Sequence, residues 1–207
     1  MKVETFALGP LLTNSYLVHH GTLAAVFDVG GDPAPMVEFL RRNDLAVTHI
    51  FLTHLHCDHL YGVAELARVT GAPVFASGAD RYLMDEELGR GGFMGLPLVK
   101  MFEFADALPG ESVMAGRPCR ILATPGHSPG GLSVFFPQDG VVFVGDLLFS
   151  RSVGRTDFPG GDHETLVSAV REKIFILPDD TVVYPGHGPA TTVGAEKRHN
   201  PFFSEFA

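Results

Sequence analysis

The hydrophobic pattern of this chain alternates between short strand-like runs and stretches with helical spacing. Strands are predicted at 2–8, 15–19 (SYLVH) and 23–28 (LAAVFD). A helix follows at 34–42, opened by Asp32, Pro33 and Pro35, residues suited to a first helical turn. The run 47–52 (VTHIFL) reads as a buried strand, and a helix over 59–70 is expected to stop at Gly71. Then come a strand at 73–76, a helix at 78–88 and a glycine-rich loop at 89–95. The second half predicts strands at 117–123 (RPCRILA), 132–136 (LSVFF), 140–144 (GVVFV) and 181–184 (TVVY). A helix over 163–176 stands behind Asp162, a good N-cap.

One weak echo links the halves. The apolar strands before His54 and before His127 both end in Thr, at Thr53 and Thr124. Two other strands end in Asp, at Asp28 and Asp146. Two similar β-rich halves with helices would pack as a four-layer α/β sandwich, with an active site where loops meet at the strand ends.

Composition narrows the function. The 207 residues suit one domain, and 45% hydrophobic with 19% charged residues argues against disorder. Residues 1–10 (MKVETFALGP) carry no secretory h-region, and no apolar run approaches a membrane span, so a cytoplasmic location is expected. Two cysteines, Cys57 and Cys119, cannot make a disulfide-stapled scaffold. A net charge of −9 without any Lys/Arg-rich run disfavours nucleic acid as a partner.

The chemistry lies in four compact places. His54, His56, Asp58 and His59 form H-x-H-x-D-H directly after a strand. Three imidazoles and a carboxylate this close would desolvate and repel one another without a positive charge among them. His nitrogen and Asp oxygen are ligands for zinc-like divalent ions, and the alternating spacing lets His54 and His56 point the same way. His127 lies in a turn stiffened by proline and glycine, 124–131 (TPGHSPGG). Asp146 follows an apolar strand, and His187 repeats the Pro-Gly-His device in 184–189 (YPGHGP). Taken singly, the last three read as solvated turn or capping residues.

Together, the order of these motifs resembles the metallo-β-lactamase superfamily, and within it the short, single-domain members of the glyoxalase II-like branch. The likeness extends to 154–158 (GRTDF) and to 198–202 (RHNPF). The resemblance implies an αβ/βα sandwich and a site for two divalent metal ions, zinc first, with iron or manganese as alternatives. It implies that His54, His56 and His127 hold one ion, that Asp58, His59 and His187 hold the other, and that Asp146 bridges them. The implied reaction is hydrolysis of S-lactoylglutathione or a related small thioester by a metal-bound hydroxide, with Asp58 and Asp146 as catalytic carboxylates. The expected partner is that small thioester alone, with no membrane and no nucleic acid, for a monomer or homodimer.

Glyoxalase II proper also carries a C-terminal helical domain that helps hold glutathione. This chain ends at Ala207, so a single domain over 1–207 without that addition is expected. Arg155 stands where glyoxalase II carries Lys, and its guanidinium suits a substrate carboxylate, with an ion pair to Asp157 as the competing role. Cys57 is expected to be a small buried filler, and Asp28 to orient a metal-binding His. His19, His20, His49, His163 and His199 match no ligand position. The same segment 154–158 resembles the persulfide dioxygenase branch, which would use one iron on His54, His127 and Asp146. RNA-processing nucleases of the superfamily fit the acidic balance poorly.

Overall fold

The computed structural model describes residues 1–203, so residues 204–207 at the end of the expected domain lie outside the described residues. The chain divides into two compact units, one of 1–107 with 113–118 and one of 108–112 with 119–207.

The N-terminal unit is built on a mixed sheet. Strands β1 (Lys2–Leu8), β2 (Thr13–His20) and β3 (Leu23–Phe27) run antiparallel. Strands β4 (Ala46–Phe51), β5 (Val74–Ala76) and β6 (Ala105–Asp106) then add in parallel. Parallel neighbours need crossovers, and α1 (Ala34–Arg42) and α2 (Val63–Thr70) supply two of them. Leu17, Val26 and Ile50 from the sheet, with Leu52 just past β4, pack with Met36, Leu40, Val63 and Leu66 from these helices. Gly71 ends α2 as expected, at φ 68° with its N–H on the Ala67 carbonyl.

The sheet of the C-terminal unit has the order β14-β13-β10-β9-β8-β7. Its members are β7 (Gly110–Met114), β8 (Arg117–Ala123), β9 (Leu132–Phe136), β10 (Val141–Gly145), β13 (Val182–Pro185) and β14 (Thr191–Thr192). Both β9 and β10 are buried along their whole length; β10 is apolar throughout up to Gly145, and the one polar side chain of β9, Ser133, pairs with the Thr124 hydroxyl at 2.9 Å. A small hairpin, β11 (Leu148–Phe149) and β12 (Ser152–Val153), stands apart from this sheet. Helices α4 (His163–Ala169) and α5 (Val193–His199) contribute Leu166, Ala169 and Val193 to the unit's core. The echo holds for the strands that end in Asp, since β3 and β10 each lie between an antiparallel and a parallel neighbour, but not for those that end in Thr, since β4 pairs in parallel and β8 pairs antiparallel with β9.

Three expected helices are modified. The helix over 59–70 begins only at Val63, after a 3-10 turn at Cys57–His59. Val29 intervenes: its N–H binds the His59 carbonyl at 2.8 Å, and its own carbonyl takes the Gly62 N–H at 2.9 Å, pulling the chain out of helical register. The helix over 78–88 is a 3-10 stretch, Gly78–Asp85, followed by the single turn α3 (Glu87–Arg90). Buried Asp80 anchors that stretch by accepting the Leu55 N–H at 3.3 Å. The helix over 163–176 widens after Ala169 into a π turn, Val170–Ile174. Its Asp162 cap is as expected, accepting the Thr165 N–H at 2.7 Å. The short strands β6, β11, β12 and β14, with β7 and α5, lie beyond the reach of the hydrophobic pattern. No helix among the described residues is long and apolar enough to cross a membrane.

Candidate metal centre

In the N-terminal unit, β4 runs out into Leu52 and Thr53 and delivers His54, His56, Asp58 and His59, all buried. Asp28, at the end of β3, braces this segment. One of its carboxylate oxygens accepts the Thr53 N–H at 2.8 Å; the other accepts the Thr53 hydroxyl and His59 Nδ1, each at 2.8 Å. A carboxylate only accepts, so His59 carries a proton on Nδ1, which leaves Nε2 as the nitrogen it can offer a metal. The same logic reaches His54. Thr53 spends its hydroxyl proton on Asp28, so at 3.1 Å it accepts from His54 Nδ1, again leaving Nε2 as the nitrogen suited to a metal. The role expected for Asp28 is therefore what the hydrogen bonds show. Asp58 takes the Thr13 hydroxyl at 3.2 Å, a contact that nothing in the sequence around Thr13 signals.

In the C-terminal unit the donors come from three separate turns. His127 follows Gly126, whose φ of 131° and close approach to the Leu166 backbone exclude a side chain there. His127 Nδ1 lies 2.7 Å from the Arg155 carbonyl, which can only accept, so Nδ1 is the donor and Nε2 is the nitrogen suited to a metal. Asp146 follows β10 and His187 follows β13. The parallel pairing of Gly145 with Pro185, and the Gly186 N–H on the Gly145 carbonyl at 2.8 Å, make them neighbours. Asp146 Oδ2 stands 3.7 Å from His127 Nε2 and 3.6 Å from His187 Nε2.

These distances test the fit of a metal. His59 Nε2 and Asp58 Oδ2 likewise stand 3.6 Å apart, longer than a hydrogen bond. Two donors bound at about 2.1 Å to one tetrahedral ion are about 3.4 Å apart. The spacing thus suits a shared cation rather than a hydrogen bond. Among the described residues, the N-terminal unit brings His54, His56, Asp58 and His59 together and the C-terminal unit His127, Asp146 and His187, a donor set of the kind a dinuclear centre uses.

The remaining candidates are placed as follows. Cys57 is buried and accepts the Tyr61 hydroxyl at 3.3 Å. Burial pushes its thiol above the usual range, so it is no thiolate near neutral pH. Arg155 forms two 2.7 Å bonds to Asp157 and lies 3.8 Å above the centre of the Phe158 ring. That guanidinium holds the Asp157 carboxyl down at about 2. His19 packs on Phe39, His49 on Phe75 and His163 on Phe202, contacts of ordinary structural histidines.

Comparison with known proteins covers the same residues. A model of the metallo-β-lactamase superfamily matches residues 8–187. The hydroxyacylglutathione hydrolase GloC of Haemophilus influenzae is 36% identical over 87% of this chain and 87% of its own length. The crystal structure of the BLEG-1 B3 metallo-β-lactamase is 35% identical, with a TM-score of 0.92 over 98% of this chain and 100% of that one. That of TTHA1623 in a di-iron-bound form is 35% identical, with a TM-score of 0.86 over 96% and 99%.

Proposed function

The chain belongs to the metallo-β-lactamase superfamily, as a metal-binding hydrolase, and on that footing we propose that it cleaves small thioesters of the S-lactoylglutathione kind. One observation carries the reading: Asp146 Oδ2 lies within 3.7 Å of two imidazoles, His127 and His187, where one carboxylate would serve two ions. Two divalent ions, zinc first, with iron or manganese as alternatives, would supply Lewis-acid polarisation of the carbonyl and acidify a water.

The chain's own residues do the rest. His54, His56 and His127 would hold one ion, and Asp58, His59 and His187 the other. Asp28 and the Arg155 carbonyl keep protons on Nδ1 of His59 and His127, so both rings present the ligating nitrogen. Asp58 and Asp146 add the negative charge that balances two cations. A thiolate leaves without help from a general acid, so the reaction needs no further proton donor. The likeness to GloC supports the thioester class. Arg155 remains the proposed contact for a substrate carboxylate: its pair with Asp157 is at the surface, where a bidentate anion can compete.

The test measures turnover of S-lactoylglutathione, a neutral thioester and a β-lactam by protein of known metal content. Thioester turnover is expected to exceed β-lactam turnover. Arg155→Ala should slow the acidic thioester selectively. Background thioester rates with rapid oxygen uptake on glutathione persulfide would overturn the reading in favour of the mononuclear iron dioxygenase branch. His56→Ala and His187→Ala should each lose a different ion, and retention of both ions would sink the ligand assignment.

A further inference from the structure

The hairpin β11–β12 joins two parts of the centre. It starts just after Asp146 and ends just before Arg155, whose carbonyl orients His127. At its base the Gly154 N–H reaches the Leu147 carbonyl at 3.3 Å. A methyl group on Gly154 would stand 1.7 Å from the Asp146 carbonyl oxygen, so the two strand ends are in direct backbone contact. Phe149 of the hairpin meets the His187 ring edge to face, centroids 6.3 Å apart. The hairpin thus touches or carries the support of His127, Asp146 and His187.

Its tip is held from α5. Arg151 turns the hairpin at φ 63°, a conformation uncommon for a non-glycine residue. Glu196, fully buried, holds it there. Its Oε2 accepts the Arg151 N–H and the Asn200 side-chain amide, both at 2.9 Å. Its Oε1 accepts the Arg151 guanidinium and the Thr191 hydroxyl. Asn200, also fully buried, donates in addition to the Ser152 carbonyl at 3.0 Å. Four donors converge on one carboxylate, two on each oxygen. A buried ion pair is a poor source of net stability, because desolvation offsets most of the attraction. What such a network does well is specify one geometry.

We infer that Glu196 is a positioning residue for the metal centre: it clamps the hairpin tip, and through the hairpin it sets His127, Asp146 and His187. The inference rests on the reading of those three as ligands. It acts at a distance, since Glu196 touches none of the donors but fixes the piece of backbone against which they are placed.

Glu196→Gln tests it. The amide turns one acceptor into a donor, so one of the two donor pairs must face another donor, while size and packing are kept. Zinc affinity, measured by chelator competition, should fall about 10- to 100-fold for at least one ion, as for other partners that orient ligands. The cobalt(II)-substituted protein should show a changed visible spectrum. Glu196→Ala should do at least as much; if it does not fold, Gln still decides. Val193→Ala is the control: it cuts the same helix's buried contact and should lower the melting temperature with affinity and spectrum unchanged. Wild-type affinity and spectrum in Glu196→Gln would overturn the inference. So would an equal loss of affinity in Val193→Ala, which would reduce the effect to general destabilisation. His187→Ala separates the premises: full metal retention there removes the ligand reading itself, whereas metal loss there with none in Glu196→Gln removes only the clamp.

Discussion

The two ligand sets are built by opposite means. In the N-terminal unit four donors fall within six residues, and a carboxylate and a hydroxyl, Asp28 and Thr53, orient the rings of His59 and His54. In the C-terminal unit three donors are spread from 127 to 187, and backbone holds them: the Arg155 carbonyl for His127, and strand pairing for Asp146 and His187. A cluster that is local in sequence needs its rings turned correctly. A dispersed set needs its chain segments brought to one place first.

That contrast can be tested at its strongest point by Asp146→Ala. The carboxylate closest to two imidazoles should be the least replaceable donor, so hydrolysis should fall to background and bound metal should drop at both sites. Near-native turnover, with metal measured on the same sample, would end the two-ion reading.

Gly154→Ala attacks the backbone support alone. The added methyl must push the Asp146 carbonyl away, and a shift of about 1 Å at a catalytic group costs about 100-fold in rate. Activity and melting temperature should both fall. Undisturbed activity would mean that the hairpin base does not set Asp146.

A smaller effect is expected from the side-chain support. Asp28→Asn keeps one acceptor for Thr53 but places an amide against the Thr53 hydroxyl and His59 Nδ1. Metal affinity should drop about 10-fold, chiefly at the ion held by Asp58, His59 and His187. Equal loss at both ions would argue that Asp28 braces the whole segment rather than one ring.

The mildest comparison uses pH, away from either ligand set. Burial lowers the pKa of His49 below its usual value near 6.5, so the unfolded chain binds the proton more readily than the folded one. Its contribution to stability is therefore complete above about pH 6.5 and is lost as pH falls towards the folded value. His49→Gln should flatten that slope in urea titrations of metal-free protein. An unchanged slope would place the titration elsewhere.

Much of the centre is legible in the sequence. H-x-H-x-D-H needs only six residues and an extended start to announce a cation site, and apolar runs such as 141–144 announce buried strands. The interruptions are less visible. Helical spacing over 59–70 is real, but Val29, thirty residues earlier, takes two backbone hydrogen bonds there and delays the helix to Val63. The short strands β11, β12 and β14 carry too few residues for any periodicity to show.

The cation chemistry of His54, His56, Asp58 and His59 is written in the chain itself, because residue type and local spacing within six residues point to it. Asp28, at a strand end beside glycines, is a bracing candidate in the sequence, and only its hydrogen bonds to Thr53 and His59 decide that it is one. How 127, 146 and 187 meet is settled only by folding. The pairing of Gly145 with Pro185 joins segments forty residues apart, and no local pattern encodes the register of a parallel pair. The same holds for Glu196 and Asn200, whose grip on the hairpin tip no local pattern marks. A hydrogen-bonding partner is chosen by distance in space, and residues as far apart as 151 and 196 carry no sign of one another until the chain has folded.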